Sequence, residues 1–423
     1  MVLASFIPVR RPARAPRVGI LVPPQRNPSR GVARYSRLVI QQLRRSAALK
    51  PVVITYRLPG SGLLEPGQVT GAERQYLGQT VYAPRLMHQL EAIVPTRYFA
   101  EGQRLLFEQV GSRLAAWRLG VDLLYSPYHA LPLVPLCPSV VTIHDLIPLS
   151  EPGYAGSLHV RALFALACAA ARQATAVITV SEYAKREIVR HLGIPESCIY
   201  VSPNGVEPIF TATCDQMALA RARSRLSLPD RYLLYVGGSD LRKNIGVLLR
   251  AVVLLRDQGQ LSMHNPGGAV PPLVIVCSRI EAGMTPWHPD WRAQAQELGL
   301  DGEVQFLEYV AEEDLPAVYH GALALCFPST AEGFGLTPLE AMACGTPVIC
   351  SNTSSLPEVV GKAGILLPPD DPTPWASAML QVSSNVGLRT ALRAAGLQQA
   401  APFTWDRTGA DVLEVLHSVA SRT

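Results

Sequence analysis

AEGFGLTPLEAMACGTPVIC, residues 331–350, places Glu332 in a turn and Glu340 eight residues later, inside the helix that follows. The turn comes after an apolar run, residues 323–327, which is typical of a buried strand. Gly333 and Gly335 leave backbone amides open at the start of the helix, where amides bind anions such as phosphates. The stretch therefore predicts a strand, an anion-binding turn and a helix, which is the building unit of parallel α/β sheets.

A second interpretation of the same stretch is local. Thr337, Pro338 and Glu340 have the form of a capping box, with threonine as the cap, proline at the first helical position and glutamate at the third. On this interpretation Glu340 only secures the start of the helix. It does not account for Glu332, so a binding role for the two carboxylates stays open beside it.

A second glycine turn, VGGSDLRKN at residues 236–244, also lies between an apolar run and a helix, predicted over residues 245–255. It brings two adjacent cations, Arg242 and Lys243, to the carboxyl end of a strand. Solvated residues of the first helical turn are the alternative interpretation, but cations at a helix start are slightly unfavourable, which favours a role toward a ligand. A diphosphate leaving group needs such charge, because its oxygens become more negative as the bond to the sugar breaks.

Apolar runs separated by helical stretches recur along the chain, and its 423 residues exceed the usual size of one hydrophobic core. The candidate strands are residues 18–22, 52–56, 123–126, 140–144 and 176–180 in the first half, and 232–236, 273–276, 304–306, 323–327, 348–350 and 364–367 in the second. We therefore predict an α/β fold of two Rossmann-like, doubly wound domains that face each other across a cleft, with ligands at the carboxyl ends of the strands.

Residues 203–217 break this periodicity and are interpreted as a linker, so the predicted domains are 1–205 and 206–400. Residues 58–104 fit the alternation least well. We assign them to loops and helices on the acceptor side of the N-terminal domain.

Charge is unevenly spread over the two halves. Residues 1–210 contain 23 Lys and Arg against 12 Asp and Glu, whereas the remainder contains 15 against 21. A basic half suits an anionic partner such as a membrane leaflet or a charged acceptor, although arginines that only solvate helices explain it about as well. The chain has no finger, repeat or aromatic-basic motif, which disfavours nucleic acid as the partner.

The eight cysteines form no C-x-x-C pair and several lie in apolar runs, which is typical of reduced thiols in a cytoplasmic protein. The first 17 residues have their basic residues after the apolar stretch, the wrong order for a signal peptide. The longest apolar helix candidate, residues 162–171, is about half a membrane span. We therefore expect a cytoplasmic protein with no transmembrane segment.

Together the two glycine turns predict a nucleotide-sugar site, and at this point the chain resembles the retaining glycosyltransferases of family 4, which have the two-domain GT-B fold. The family's E-x7-E signature is matched by Glu332 and Glu340, and its RKN turn by residues 242–244. Weaker matches are GVARY (31–35), VTIHDLIPL (141–149), VSEYAK (180–185), PNGVE (203–207), SSLPEVVG (354–361) and FTW (403–405).

The resemblance implies a role for each matching residue. Glu332 contacts the transferred sugar, Glu340 takes the ribose, and Lys243, helped by Arg242, stabilises the departing diphosphate. The backbone of the second glycine turn approaches the donor at Gly238, and the amides around Gly333, Phe334, Gly335, Leu336 and Thr337 bind sugar and phosphate. From the N-terminal domain, Gly31 lets its loop approach the phosphate and His144 reaches the sugar, with a satisfied strand-end histidine as the alternative. The last helix, residues 401–423, crosses back to the N-terminal domain.

The resemblance also implies a front-face reaction that keeps the anomeric configuration and uses no metal and no cofactor besides the nucleotide-sugar donor. The chain has no Asp-x-Asp of the metal-dependent kind. GDP-mannose is the first choice of donor and a UDP-sugar the second; the acceptor is a glycan or a lipid-linked molecule. Arg26, Arg30, Arg34 and Arg37 cluster in and just after the first loop, where a lipid-phosphate acceptor or an anionic inner membrane face could meet them; simple solvation of these arginines explains the cluster about as well.

One position departs from the family pattern. Many relatives have an arginine five residues before the lysine, where this chain has Gly238. The alternatives to a glycosyltransferase are a non-hydrolysing sugar-nucleotide epimerase of the same fold and a non-catalytic interaction subunit. A nicotinamide-dependent dehydrogenase is disfavoured, because GVARYSR is not a G-x-G-x-x-G motif.

Overall fold

The computed structural model describes residues 14–22, 31–55, 80–82, 104–150, 158–261, 269–277 and 287–422. The chain divides into two compact units: unit 1 comprises residues 1–203 and 405–423, and unit 2 comprises residues 204–404. Most of the segment 58–104, assigned above to the acceptor side, lies outside the described residues.

Unit 1 is an α/β unit whose strands are β1 (Arg17–Leu21), β2 (Lys50–Thr55), β3 (Thr80–Tyr82), β4 (Leu123–Ser126), β5 (Ser139–Ile143), β6 (Ala176–Thr179) and β7 (Ile199–Val201). Its helices are α1 (Gly31–Arg45), α2 (Ser112–Leu119), α3 (Ile147–Ser150), α4 (Leu158–Ala171), α5 (Glu182–Leu192) and, after unit 2 in sequence, α14 (Trp405–Ser421). A π-helical turn, Phe107–Gly111, leads into α2. The described strands form one parallel sheet in the order β3-β2-β1-β4-β5-β6-β7.

Unit 2 has the strands β8 (Leu233–Val236), β9 (Leu273–Val276), β10 (Val304–Leu307), β11 (Ala324–Phe327), β12 (Val348–Ser351) and β13 (Ile365–Leu367). Its helices are α6 (Gln216–Leu226), α7 (Ile245–Asp257), α8 (Trp291–Glu297), α9 (Leu315–Gly321), α10 (Leu336–Ala343), α11 (Leu356–Val360), α12 (Pro372–Ser384) and α13 (Val386–Ala400). The described strands are again all parallel, in the order β10-β9-β8-β11-β12-β13.

The predicted class, two doubly wound Rossmann-like sheets, is confirmed. Strands such as β5 and β11 are buried along their whole length, because parallel strands are covered by helices on both faces, and this is why their sequences are continuous apolar runs. Two short strands were not predicted. β7 consists of Ile199–Val201 and β3 of Thr80–Tyr82, and three residues are too few to show a period.

Both sheets reverse their strand order beside the first strand of the unit. In unit 1 the reversal lies between β1 and β4, and in unit 2 between β8 and β11. Loops that leave neighbouring strands on opposite sides of the sheet open a crevice at this point, where ligands bind in doubly wound folds. The loop after β8 carries the Arg242–Lys243 turn and the loop after β11 carries Glu332.

α1 and α14 pack closely within unit 1. The rings of Tyr35 and Trp405 meet edge to face with centroids 6.0 Å apart. A side chain at Gly409 would overlap the Cβ of Gln42 on α1. Glycine at this position therefore sets how near the two helices approach.

The expected basic cluster is only partly present on the surface of unit 1. Arg34 is buried and Arg37 is half-buried. Arg26 and Arg30 lie outside the described residues. Arg34 therefore offers little exposed charge, and contact of the cluster with an anionic surface stays a prediction.

Two further expectations concern the whole chain. All eight cysteines are unbonded. Within the ranges described above, no helix combines the length and the apolar character that a membrane span requires.

We predict that Gly409→Val lowers the free energy of unfolding of unit 1 by about 1–3 kcal/mol, because the added methyl groups overpack the contact with Gln42. Ala410→Val, on the exposed side of the same helix, is the matched control and should change stability by less than about 0.5 kcal/mol. Thermal and urea unfolding followed by circular dichroism measures both. Equal effects of the two substitutions would contradict a close α1–α14 contact.

Candidate functional site

The two glycine turns of unit 2 are held together at the switch point of its sheet. After β8 the chain makes a 3-10 turn, Leu241–Lys243, and Asn244 then takes the left-handed conformation at φ 53°. The amide Nδ2 of Asn244 donates hydrogen bonds to the carbonyl of Pro328, at 3.3 Å, and to that of Pro369, at 2.7 Å. These bonds fasten the cationic turn to the loops that follow β11 and β13.

Glu332 forms ion pairs with both cations of that turn. Its Oε1 lies 2.5 Å from Nζ of Lys243 and 3.1 Å from Nη1 of Arg242. All three side chains are nearly buried, with 9–14% of their surface exposed. The predicted proximity of Lys243 and Glu332, which are 89 residues apart in sequence, is therefore present in the fold.

Arg242 is fixed more firmly than Lys243. Its Nε lies 3.3 Å from Oδ1 of Asp240, and its Nη1 donates a hydrogen bond of 2.5 Å to the carbonyl of Ala331. Its own carbonyl accepts hydrogen bonds from the backbone of Thr330 and from the hydroxyls of Ser329 and Thr330. A guanidinium held on three sides positions its neighbours and has little freedom to follow a ligand.

Electrostatics keep Glu332 ionised. Burial by itself raises the pKa of a carboxyl group, but the ammonium of Lys243 and the guanidinium of Arg242 outweigh it and hold the pKa of Glu332 below its ordinary value of 4.5. The carboxylate is therefore charged throughout the neutral range. It accepts hydrogen bonds and cannot supply a proton.

The backbone around Glu332 is supported by a serine pair that the sequence did not reveal as functional. The N–H of Glu332 donates to Oγ of Ser354 at 3.0 Å. The hydroxyl of Ser355 donates to the carbonyls of Glu332, at 2.8 Å, and Phe334, at 2.6 Å. The segment SSLPEVVG was noted only as a weak family match; it orients the loop that carries the carboxylate.

The start of α10 differs from the predicted capping box. The helix begins at Leu336 with Gly335 as its N-cap, so Thr337 lies inside the first turn. Gly335 has φ 126°, and a Cβ there would come within 3.0 Å of Leu356, which explains why glycine occupies the cap. Among the described residues no side chain caps this helix, and the capping-box prediction is wrong. A helix start without a side-chain cap is a position where backbone amides bind anions.

Glu340 does not cap the helix; its side chain packs inside unit 2. Its side chain is buried, and Oε2 accepts a hydrogen bond of 3.0 Å from the hydroxyl of Tyr319. Tyr319 lies on α9 and is fully buried. The sequence does not reveal this pair, because nothing in α9 marks a tyrosine 21 residues upstream as the partner of Glu340.

Gly238 occupies the position where many relatives have an arginine. A Cβ there would lie 2.9 Å from Oδ2 of Asp240, which approaches on the side of the turn that a longer side chain would use. Asp240 is the same residue that holds Arg242. The sequence contained Asp240 within the turn but gave no sign of this pairing.

Two predicted site residues, His144 and Gly31, belong to unit 1. His144 follows β5; its Nε2 donates a hydrogen bond of 3.0 Å to the carbonyl of Pro127, and its ring meets Tyr35 edge to face at 4.6 Å. Burial lowers the pKa of His144, so the imidazole is neutral at pH 7. Since Nε2 carries the proton, Nδ1 carries the lone pair.

Gly31 is the first residue of α1, and it is exposed, with open space where a Cβ would stand. The rest of its loop, residues 23–30, lies outside the described residues. The fold thus brings together Arg242, Lys243 and Glu332, with the turn 333–337 and Glu340 next along the chain, in unit 2.

Two family models match the chain. Residues 29–209 match the model for Glycosyltransferase Family 4, and residues 217–399 match the model for glycosyl transferases group 1. The O-antigen chain mannosyltransferase B of Escherichia coli is 33% identical over 269 residues, which cover 63% of this chain and 67% of that protein. The serotype-specific mannosyltransferase WbdA of Escherichia coli is 29% identical over 278 residues, 64% of this chain but only 32% of that protein.

Among solved structures, the sucrose-phosphate synthase of Thermosynechococcus elongatus superposes with a TM-score of 0.71 at 19% identity. The alignment covers 96% of this chain and all of that one. At this identity the similarity shows the fold, which is the predicted GT-B fold.

We predict that Glu332→Gln reduces the acid sensitivity of unit 2. A lowered pKa means that the stability which Glu332 contributes is present at neutral pH and is lost as the pH falls from about 4.5 through its folded value. The variant should be less stable than the wild type at pH 7, and the difference should shrink as the pH falls below the ordinary pKa of 4.5. Glu297→Gln, at an exposed position on α8, should leave the profile unchanged. Urea unfolding at a series of pH values measures this, and parallel profiles of Glu332→Gln and wild type would contradict it.

Proposed function

The chain belongs to the family 4 glycosyltransferases, as a mannosyltransferase-like member, and we propose that it transfers mannose from GDP-mannose to a glycan or lipid-linked acceptor. The proposed reaction retains the configuration of the anomeric carbon and needs no metal ion. The observation that carries this proposal is the convergence of Lys243, Arg242 and Glu332 at the switch point between β8 and β11.

Lys243 is the proposed ligand of the diphosphate. Its ammonium is a mobile point charge on a flexible stem, and its one described ion pair is with Glu332. An arriving diphosphate competes with Glu332 for this charge and gains stabilisation as the bond to the sugar breaks. Lys243 supplies positive charge where a metal ion would otherwise be needed, which supports metal-independent transfer.

Glu332 is the proposed partner of the sugar hydroxyls. It is ionised, so it accepts hydrogen bonds from hydroxyl groups, and Arg242 keeps its charge balanced when Lys243 turns to the diphosphate. A carboxylate compensated by two cations is a weak nucleophile. This supports a front-face reaction in which the leaving phosphate takes the proton of the acceptor, rather than a covalent sugar–enzyme intermediate.

Other residues of unit 2 complete the proposed donor site. The backbone amides of Gly333, Phe334, Gly335, Leu336 and Thr337 would contact sugar and phosphate, since the start of α10 has no side-chain cap among the described residues. Glu340, oriented by the hydrogen bond from Tyr319, would accept the ribose hydroxyls. Gly238 would offer only its backbone to the donor, because Asp240 lies where a side chain at this position would stand.

In unit 1, His144 is proposed to contact the transferred sugar and Gly31 the phosphate. Because Nε2 of His144 already donates to Pro127, Nδ1 is the atom that would accept a hydrogen bond from a sugar hydroxyl. The neutral state of the ring suits this role, since an imidazolium has no lone pair to offer.

The donor and the location rest on indirect support. Mannose is proposed because the relatives reported above are mannosyltransferases, and a UDP-sugar is the second candidate donor. We place the reaction in the cytoplasm, with peripheral contact at an anionic membrane face. The unbonded state of all eight cysteines fits that compartment.

Donor binding is testable by thermal shift in buffer with EDTA. We expect GDP and GDP-mannose to raise the melting temperature of the wild type and UDP-glucose to leave it unchanged. At a hundredfold excess of ligand over Kd, binding adds about 2.7 kcal/mol to the free energy of unfolding. Lys243→Ala should lose the shift and reduce transfer by at least about a hundredfold, as should Glu332→Ala for transfer. Lys362→Ala, at an exposed position of unit 2, is the control.

A shift with UDP but not with GDP would replace the donor by a UDP-sugar. Full transfer by Lys243→Ala would remove its proposed role, provided that circular dichroism shows the fold intact.

The ribose contact is testable by steady-state kinetics. We expect Glu340→Gln to raise the KM for the donor about tenfold or more with kcat within about threefold, because a charge-assisted hydrogen bond is lost in ground and transition state alike. Tyr319→Phe should act in the same direction with a smaller effect, since it removes only the hydroxyl that orients Glu340. Glu297→Gln should behave as wild type. A fall in kcat at unchanged KM would assign Glu340 to the chemical step instead.

A further inference from the structure

Unit 1 carries an exposed apolar surface that the proposed donor site does not use. It consists of Val110 and Trp117 on the helical segment 107–119, of Leu133, Val134 and Leu136 in the loop after β4, and of Val160 on α4. Trp117 is 72% exposed, Val134 63% and Leu136 54%. Large apolar side chains exposed to this degree on neighbouring elements mark interaction sites.

Hydrogen bonds and a ring contact show that the three elements lie side by side. Gln109, next to Val110, donates through Nε2 to the carbonyl of Leu131 and accepts at Oε1 from the N–H of Leu133. The ring of His129, in the same loop, meets the ring of Phe164 on α4 edge to face, with centroids 5.1 Å apart. The loop therefore bridges the helical segment and α4.

α4 adds a second, independent observation. Its sequence LHVRALFALACAAA is apolar nearly all round, a character that normally requires burial on every side. Yet Val160, Ala162 and Ala165 are exposed, and Phe164 is only half-buried. The N-terminal half of α4 thus presents apolar side chains to its surroundings.

Basic residues surround this surface. Arg118 and Arg161 are exposed, Arg113 is half-buried, and none of the three has an acidic partner among the described residues. The acidic residue of the helical segment, Glu108, is buried and paired with Arg104. The surface therefore combines exposed apolar side chains with a positive rim.

We propose that this apolar surface docks unit 1 onto an anionic phospholipid bilayer. Tryptophan and aliphatic side chains at a lipid interface gain from leaving water, and arginines beside them attract anionic headgroups. Three prolines in the loop, Pro132, Pro135 and Pro138, restrict its backbone, so less conformational entropy is lost on insertion.

A second copy of the chain is a less suitable occupant. A twofold contact uses the same patch on both subunits, so it would place the arginines of one copy near those of the other. A bilayer with anionic headgroups neutralises the same arginines.

This inference rests on the proposed function and narrows its acceptor to the lipid-linked class. The loop of the apolar surface runs from the carboxyl end of β4 to the amino end of the parallel strand β5. A bilayer held at unit 1 favours a membrane-anchored acceptor over a free glycan.

Binding to vesicles tests the proposal directly. The full chain should sediment with vesicles of phosphatidylcholine that contain 30 mol% phosphatidylglycerol, and much less with phosphatidylcholine alone. Trp117→Ser and the double variant Val134→Ser/Leu136→Ser should each weaken partition about tenfold or more. Arg118→Gln and Arg161→Gln should each weaken it about fivefold, and only on the anionic vesicles. Val386→Ser, an equally exposed valine on α13 of unit 2, should bind as wild type.

Fluorescence places the contact at one residue. Trp291, Trp375 and Trp405 are buried and Trp287 is half-buried, so a blue shift on vesicle binding is expected to come from Trp117. The shift, and quenching by brominated lipid, should disappear in Trp117→Ser. Wild-type chain that ignores anionic vesicles, or variants of the apolar surface that bind them as well as wild type does, would overturn the proposal.

Light scattering distinguishes the competing occupant. A dimer that dissociates in Trp117→Ser, without vesicle binding by wild type, would assign the surface to a second copy and overturn the membrane proposal. The donor thermal shift separates this inference from the proposed function, since Trp117→Ser should keep it. Vesicle binding without any donor shift would leave the apolar surface assigned and reject the proposed transfer.

Discussion

The ion cluster of Glu332 with Lys243 and Arg242 is the constraint on which the rest of unit 2 depends. Three charges lie nearly out of water, and breaking such a cluster by removing one partner leaves an uncompensated buried charge. The cluster joins the loops after β8 and β11, which only adjacent strands can bring together. The pairing of β8 with β11 and the hydrogen bonds from Ser354 and Ser355 hold the loops of this cluster in place.

The two cations of the RKN turn are not equivalent. Arg242 is held by Asp240, Ala331 and Glu332, whereas Lys243 reaches Glu332 on a flexible chain beside the ring of Phe327, 5.2 Å from its centroid. A fixed charge and a movable one allow the same carboxylate to stay balanced with and without a bound anion. This division also makes the missing arginine at position 238 intelligible, since Asp240 occupies that side of the turn.

Much of this arrangement was predictable from the sequence, for identifiable reasons. Fully buried parallel strands require continuous apolar runs, so β4 and β9 could be located to the residue, and the glycine turns after β8 and β11 marked the site. The start of α10 could not be predicted, because the φ of Gly335 and the distant hydroxyl of Tyr319 decide it, while the local letters favour a capping box. Partners far apart in sequence, such as Asp240 for Arg242, depend on the packed fold.

The seating of α14 on α1 has a consequence for how the chain is made. Unit 1 receives α14 only after all of unit 2 has been synthesised, so a ribosome releases a nearly complete second unit while the first still lacks the cover over Tyr35 and Gln42. Until then the bare side of α1 is open to chaperones or to non-native contacts during translation. Synthesis thus begins with unit 1, but unit 2 is the first of the two that can be completed.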